Sequence, residues 1–180
     1  TLYGAMFHRE EEMNRADLLE SCKAAGLIEH TGISIDSAAV GSIAPGFELV
    51  QLPLNVLDCR FDHLIAAHRT KQFYARSAYL QGLLLAAEVP PRLAAILPHK
   101  ARFEALRQAA GLEAKEFYFR YVLSRRDIAR VVFGVDTLPQ LEENLAIAAR
   151  GPLPDELMAA IESCRAPLPE RLIRPKLWNG

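Results

Sequence analysis

The stretch Phe47–Arg60, FELVQLPLNVLDCR, decides how this chain is read. Phe47, Leu49, Val50 and Leu52 form a short β-favouring run that is apolar at nearly every position. Strands covered on both faces, as in parallel sheets, need not alternate apolar and polar residues. Gln51 breaks the run near its end, and Pro53 is expected to stop the ladder. An amide at the exit of such a strand is costly to bury without a hydrogen-bond partner. Gln51 is therefore either a core residue satisfied by neighbouring backbone or a ligand contact at the carboxyl end of a barrel strand, where βα-barrel enzymes keep their chemistry.

Strand and helix alternate on both sides of this stretch. Leu2 to Phe7 (LYGAMF) reads as a buried strand, followed at once by His8. Glu10, Glu11 and Glu12 put acid at the start of a helix, as the macrodipole favours, and Gly26 is its expected stop. Thr31 to Ile35 is a second strand, with Asp36 or Ser37 expected to cap a brief helix before Pro45-Gly46. Phe47 to Leu52 is the third strand, and Asp58 is expected to cap a helix carrying Phe61, Leu64, Ile65 and His68. Gln72 to Arg76 is the fourth strand, followed by an apolar loop, Ser77 to Val89. Helices are expected over Lys100 to Ala110, Ala114 to Leu123, Leu138 to Ala149 and Pro154 to Cys164, with a fifth strand at Ile128 to Val135. Leu172 to Gly180 reads as a surface tail.

Five alternations without a hairpin signal predict an α/β fold with a parallel sheet. The 180 residues suit a single domain, 1–180. Length alone favours a five-stranded doubly wound sheet. A closed βα-barrel of about 250 residues fits only if roughly three βα units precede Thr1. The chain does open without a methionine and runs straight into a strand, so an upstream part is expected.

Bulk composition narrows the function classes. A hydrophobic share of 51%, a charged share of 24% and a net charge of -1 carry no electrostatic footprint for nucleic acid or a membrane surface. The longest apolar run is too short to span a bilayer. Cys22, Cys59 and Cys164 are odd in number and form no CxxC pair, so neither a zinc site nor a disulfide framework is indicated. Reduced thiols and a cytoplasmic location are the expectation. His30, His63, His68 and His99 show no metal spacing. Phe117, Tyr118, Phe119 and Tyr121 read as helix packing, and Arg125, Arg126 and Arg130 as a solvated turn.

Four segments in order, GISID (32–36), VQLPLNVLD (50–58), ARSAYLQGLLL (75–85) and VVFGVDTLPQLEENL (131–145), resemble the aldo/keto reductase family, and the likeness runs through the terminal RPKLW. It implies a parallel (β/α)8 TIM-type barrel of which this chain supplies about five βα units, from the fourth barrel strand onward. It also implies an NAD(P)H-dependent oxidoreductase that interconverts a small carbonyl compound and an alcohol by hydride transfer. The family's catalytic set is a tyrosine, a lysine, an aspartate and a histidine. Only the histidine maps here, onto His8, and the other three are expected upstream of Thr1. The alternative is a non-catalytic partial barrel or open sheet.

For the cofactor, the resemblance implies that Ser34 and Gln51 hold the nicotinamide carboxamide, with Ile35 where the family usually has asparagine. Arg76 takes the place of a stacking aromatic ring; a guanidinium plane can also stack and attracts phosphate, and the alternative is an arginine paired with an acid at the barrel rim. Ser77 to Gly82, Tyr79 included, matches the loop around the pyrophosphate. Gly134, Val135, Gln140, Glu143 and Asn144 match the adenosine end. NADP is what the resemblance implies, but Gly134 and Gln140 stand where many members have basic residues for a 2′-phosphate, so charge gives that preference no support and NAD is the alternative. A chain of only these residues would leave two sheet edges open and is expected to pair with another copy through them or to rearrange them.

Overall fold

The computed structural model describes residues 1–178. Five strands, β1 (Leu2–Phe7), β2 (Ile28–Ser34), β3 (Leu49–Pro53), β4 (Gln72–Arg76) and β5 (Arg130–Val131), form one sheet. Its spatial order is β1-β2-β3-β4-β5 and every neighbouring pair is parallel. Between β1 and β2 lies α1 (Ala16–Ala24), and between β3 and β4 lies α2 (Asp62–Ala67). Helices α3 (Leu97–Ala109) and α4 (Ala114–Ser124) precede β5. After it come α5 (Leu138–Ala149), α6 (Asp155–Cys164) and the short α7 (Glu170–Ile173).

This order separates the two architectures. A doubly wound sheet reverses direction at a switch point and carries helices on both faces. Here each strand steps the same way, and right-handed crossovers then place the helices on one face. The packing agrees. Ile33, Val50, Leu52, Phe73 and Ala75 point from the sheet into one core with Leu19, Leu64, Ile65, Phe103, Phe117 and Ile161 of the helices. Leu49 and Tyr74 are also buried but lie outside that core, on the other face.

That other face is concave. Gly32 faces it: a Cβ there would stand 2.9 Å from Cβ of Met6 and 3.1 Å from Cβ of Leu49. The Tyr3 hydroxyl, on β1, donates to Oε1 of Gln72, on β4, at 3.0 Å. In a flat sheet these strands would be roughly 14 Å apart, with side chains standing perpendicular to the plane. They meet because the sheet curls as the wall of a cylinder. The α/β fold is thus a length of (β/α)8 barrel wall.

Some elements follow their sequence signals closely. Helix α1 ends in a Schellman motif: Leu27 N–H bonds to Cys22 O and Gly26 N–H to Lys23 O, with Gly26 at φ 71°. Others differ for identifiable reasons. β1 is exposed rather than buried at its start, with Leu2 66% exposed, because it is an edge strand with no neighbour on one side. Pro53 does not stop the ladder: it pairs with Arg76, and Leu54 N–H takes up the bonding to Arg76 O. No helix forms between Ile35 and Glu48, and Asp36 does not act as a cap. Asp58 caps no helix either; it is buried against Arg60, whose guanidinium it binds at 2.7 Å. The fifth strand contracts to Arg130–Val131, extended by single bonds from Ala129 and Val132 to β4. Arg125 is not solvated but bonds Asp127, Asp62 and Tyr121. As far as Trp178 the terminal segment is no surface tail, since Leu172 and Ile173 are buried; residues 179 and 180 lie outside the described residues. The aromatics Phe117, Tyr118, Phe119 and Tyr121 pack in the core as expected.

Candidate functional site

The carboxyl ends of β2, β3 and β4 bring three of the expected residues side by side. Ser34 and Gln51 occupy paired positions, and the Ser34 hydroxyl donates to Oε1 of Gln51 at 3.2 Å. The Gln51 side-chain amide nitrogen donates to nothing among the described residues. Gln51 is therefore half-satisfied, by a side chain rather than by backbone, with donors left over at the rim. Pro53 pairs with Arg76 two residues further along the same ladder. Arg76 is half-buried and donates to Asp36 Oδ1 at 2.8 Å, to Ile35 O at 3.3 Å and to the Ser77 hydroxyl at 3.3 Å.

Asp36, which sequence reading placed at a helix cap, is the centre of this rim. Only 6% exposed, its carboxylate accepts from Arg76 through Oδ1 and from Arg174 through Oδ2, both at 2.8 Å, with Lys176 at 3.6 Å. Burial opposes its ionisation, but the hydrogen bonds from Arg174 and Arg76 outweigh burial and pull the carboxyl down from 3.8 to about 2. Its backbone N–H donates to Glu10 at 2.6 Å, and its carbonyl accepts from Arg60. The sequence carried one signal for this: the apolar pair Leu172-Ile173 flanked by Arg171 and Arg174, which suits a segment that docks rather than dangles.

Directly after β4 the backbone is strained. Ser77, Leu80 and Gln81 sit at φ 62°, 48° and 53°, and Gly82 at 82°. A non-glycine residue in this region costs on the order of 1–2 kcal/mol. Such outliers point to a functional demand that the surroundings enforce. Gly82 is required here by conformation rather than by space, since a Cβ on it would meet nothing within 4 Å. The N–H groups of Ala78, Tyr79, Gln81 and Gly82 donate to no protein acceptor among the described residues. Successive free amides of this kind make an anion-binding concavity.

Beyond β5, Thr137 caps α5 by accepting from Gln140 N–H, and the Gln140 side chain accepts from Asp136 N–H. Gln140 is thus tied up by the helix start, and Gly134 is exposed with open space around it. Glu143 pairs with Lys115 of α4. Asn144 is 3% exposed and its Oδ1 has no partner; the half-buried Tyr79 likewise has an unpartnered hydroxyl. Burial, with the negative charge of Glu143 adding to it, raises the Tyr79 phenol above its ordinary value. A hydroxyl that can donate and an amide oxygen that can accept are thus both left without a protein partner, the pair of roles a ligand edge of mixed polarity requires.

His8 lies exposed just past β1, in a recess of about 350 Å³ lined by Arg9, Glu10, Glu11, Arg174 and Lys176. The docked terminal segment therefore forms one wall beside His8. Among the described residues no group of three His, Cys, Asp or Glu side chains is placed to hold a metal ion, and no helix is long and apolar enough to cross a membrane.

The model of the aldo/keto reductase family matches residues 6–166. No curated protein matches the sequence. Among solved structures, the holo form of the aldo-keto reductase AKR11C1 from Bacillus halodurans is similar at a TM-score of 0.72 and 16% identity, covering 94% of this chain and 61% of that one. Its apo form gives 0.73 and 18%, covering 94% and 64%. The glycerol dehydrogenase AKR11B4 from Gluconobacter oxydans gives 0.70 and 19%, covering 91% and 58%. The chain thus spans less than two thirds of the length of these relatives.

Proposed function

The chain belongs to the aldo/keto reductase family, and from that premise we propose that it is the cofactor-binding part of an NAD(P)H-dependent oxidoreductase that interconverts a small carbonyl compound and its alcohol. Residues 1–180 form one domain in this reading, the later portion of the barrel, working in the cytoplasm. When bound, the nicotinamide cofactor supplies the hydride. The residues of this chain bind and orient. Ser34 and the spare donors of Gln51 meet the carboxamide. Arg76 offers a flat cationic face to the nicotinamide end. The free amides of Ala78, Tyr79, Gln81 and Gly82, in the loop Ser77 to Gly82, meet the pyrophosphate, and Asn144 and Glu143, with Tyr79, meet the adenine. His8, at the mouth of the recess, orients the substrate carbonyl.

The observation that carries this reading is the strained loop after β4, with four free N–H groups immediately beyond Arg76. A chain does not hold Leu80 and Gln81 left-handed for packing alone when the amides so presented stay unpaired. The dinucleotide itself is not fixed between NADP and NAD: no lysine or arginine stands at 134 or 140. Lys115 is a cation at that end, paired with Glu143. Titration of the polypeptide with NADPH and NADH, following quenching of Trp178, its single tryptophan, tests the reading. Saturable quenching at micromolar cofactor is expected. No binding of either at millimolar concentration refutes it.

A further inference from the structure

We propose that Asp36 is a positioning residue for the cofactor: its carboxylate fixes Arg76 at the nicotinamide end of the site and ties that arginine to the docked C-terminal segment through Arg174. The inference rests on the cofactor reading above and goes beyond it by assigning a residue outside the expected binding set.

Three observations carry it. First, the two arginines divide the carboxylate between them, Arg76 on Oδ1 and Arg174 on Oδ2, so each limits the rotation that the other needs. Second, the main chain at Asp36 is itself held on both sides, by Glu10 from the segment after β1 and by Arg60 after β3. The carboxylate is thus a fixed post rather than a mobile one. Third, Arg76 has a flexible stem at a half-buried position, and a guanidinium offers a flat face only when its donors are anchored. Asp36, Ile35 O and the Ser77 hydroxyl supply those anchors. Arg174 continues the chain of contacts to Glu170 at 3.2 Å and Glu10 at 3.7 Å, so the terminal segment and the nicotinamide end share one acid.

The test uses the polypeptide with whichever of NADH and NADPH binds more tightly, and with the matching fragment that lacks only nicotinamide, ADP-ribose or its 2′-phosphate. Asp36→Asn is expected to weaken the dinucleotide about tenfold, the size of one lost charge-assisted contact, and the fragment less than about twofold. Arg174→Met is expected to weaken the dinucleotide about threefold, and the double variant no further than Asp36→Asn alone, because both act through the same carboxylate. Equal weakening of dinucleotide and fragment, or effects that simply multiply, overturns the proposal. Should Asp36→Asn not fold, Arg174→Met decides alone: unchanged dinucleotide affinity overturns it. Wild-type protein that binds neither dinucleotide sinks the cofactor reading and this inference with it. Wild-type binding with unaffected variants sinks only the inference.

Discussion

Replacing Asp36 by asparagine should change how stability depends on pH, and by an amount that the geometry sets. Burial works against the charged form, yet the bonds from Arg174 and Arg76 hold the carboxyl at about 2 against 3.8 for an ordinary aspartate. That difference corresponds to about 2.4 kcal/mol of stability at neutral pH. Because the folded value is the depressed one, the contribution is complete above about pH 5 and is lost as pH falls through 4 towards 2. At pH 3 about 1.3 kcal/mol of it should remain. Asparagine has no proton to gain in this range, so subtracting the variant's stability from that of the parent removes most other titrations. What does not cancel is a roughly constant cost, since asparagine leaves two partly buried guanidinium groups without their acid. Urea unfolding of both proteins at pH 7, 5 and 3 gives the measurement. The parent should exceed the variant by the same margin at pH 7 and 5, and by about 1 kcal/mol less at pH 3. A margin that stays level down to pH 3 would show that the arginines do not hold an ionised carboxylate there.

Other outcomes follow from single sites. Gly32→Ala should cost about 1–3 kcal/mol, because its Cβ would press on Cβ atoms of Met6 and Leu49 that cannot swing aside. Gly4→Ala should cost less in the same thermal melts, since the tightest atom it meets is the end of the Leu49 side chain. In the strained loop, Gln81→Gly should stabilise by about 1 kcal/mol and Gly82→Ala should destabilise by a similar amount, both read by denaturant midpoint; the same sign for both would contradict the left-handed backbone. Asn144→Leu should stabilise the cofactor-free protein by about 1 kcal/mol, by removing an unpartnered buried oxygen, while weakening dinucleotide binding. A variant less stable than the parent would mean that Asn144 is satisfied without ligand.

The candidate site was only partly legible in the chain of residues. Gln51 stands out as a polar residue ending an apolar parallel strand, Ser34 is placed beside it only by the family resemblance, and the ladder does pair them. Gly82 could be marked as a special backbone position, but its left-handed neighbours Leu80 and Gln81 could not, since neither residue type advertises that conformation. Asp36 was misread outright. Aspartate after a strand has a local explanation, a helix cap, and nothing within ten residues announces an arginine 138 positions away.

Taken alone, the amino-acid order determined the kinds of elements and their succession, because strand and helix periodicity and a stop such as Gly26 act over a few residues. It could not determine whether five parallel strands lie flat or curl, since both arrangements bury the same apolar runs. That was decided by tertiary structure: sequential strand order places the helices on one side, and the Tyr3–Gln72 bond closes a distance that only a curved wall can bring within reach. The strand register gathers Ser34, Gln51 and Arg76 at one rim, and the packing of the terminal segment brings Arg174 to Asp36. Contacts of that span depend on where the whole chain comes to rest, which no local pattern encodes.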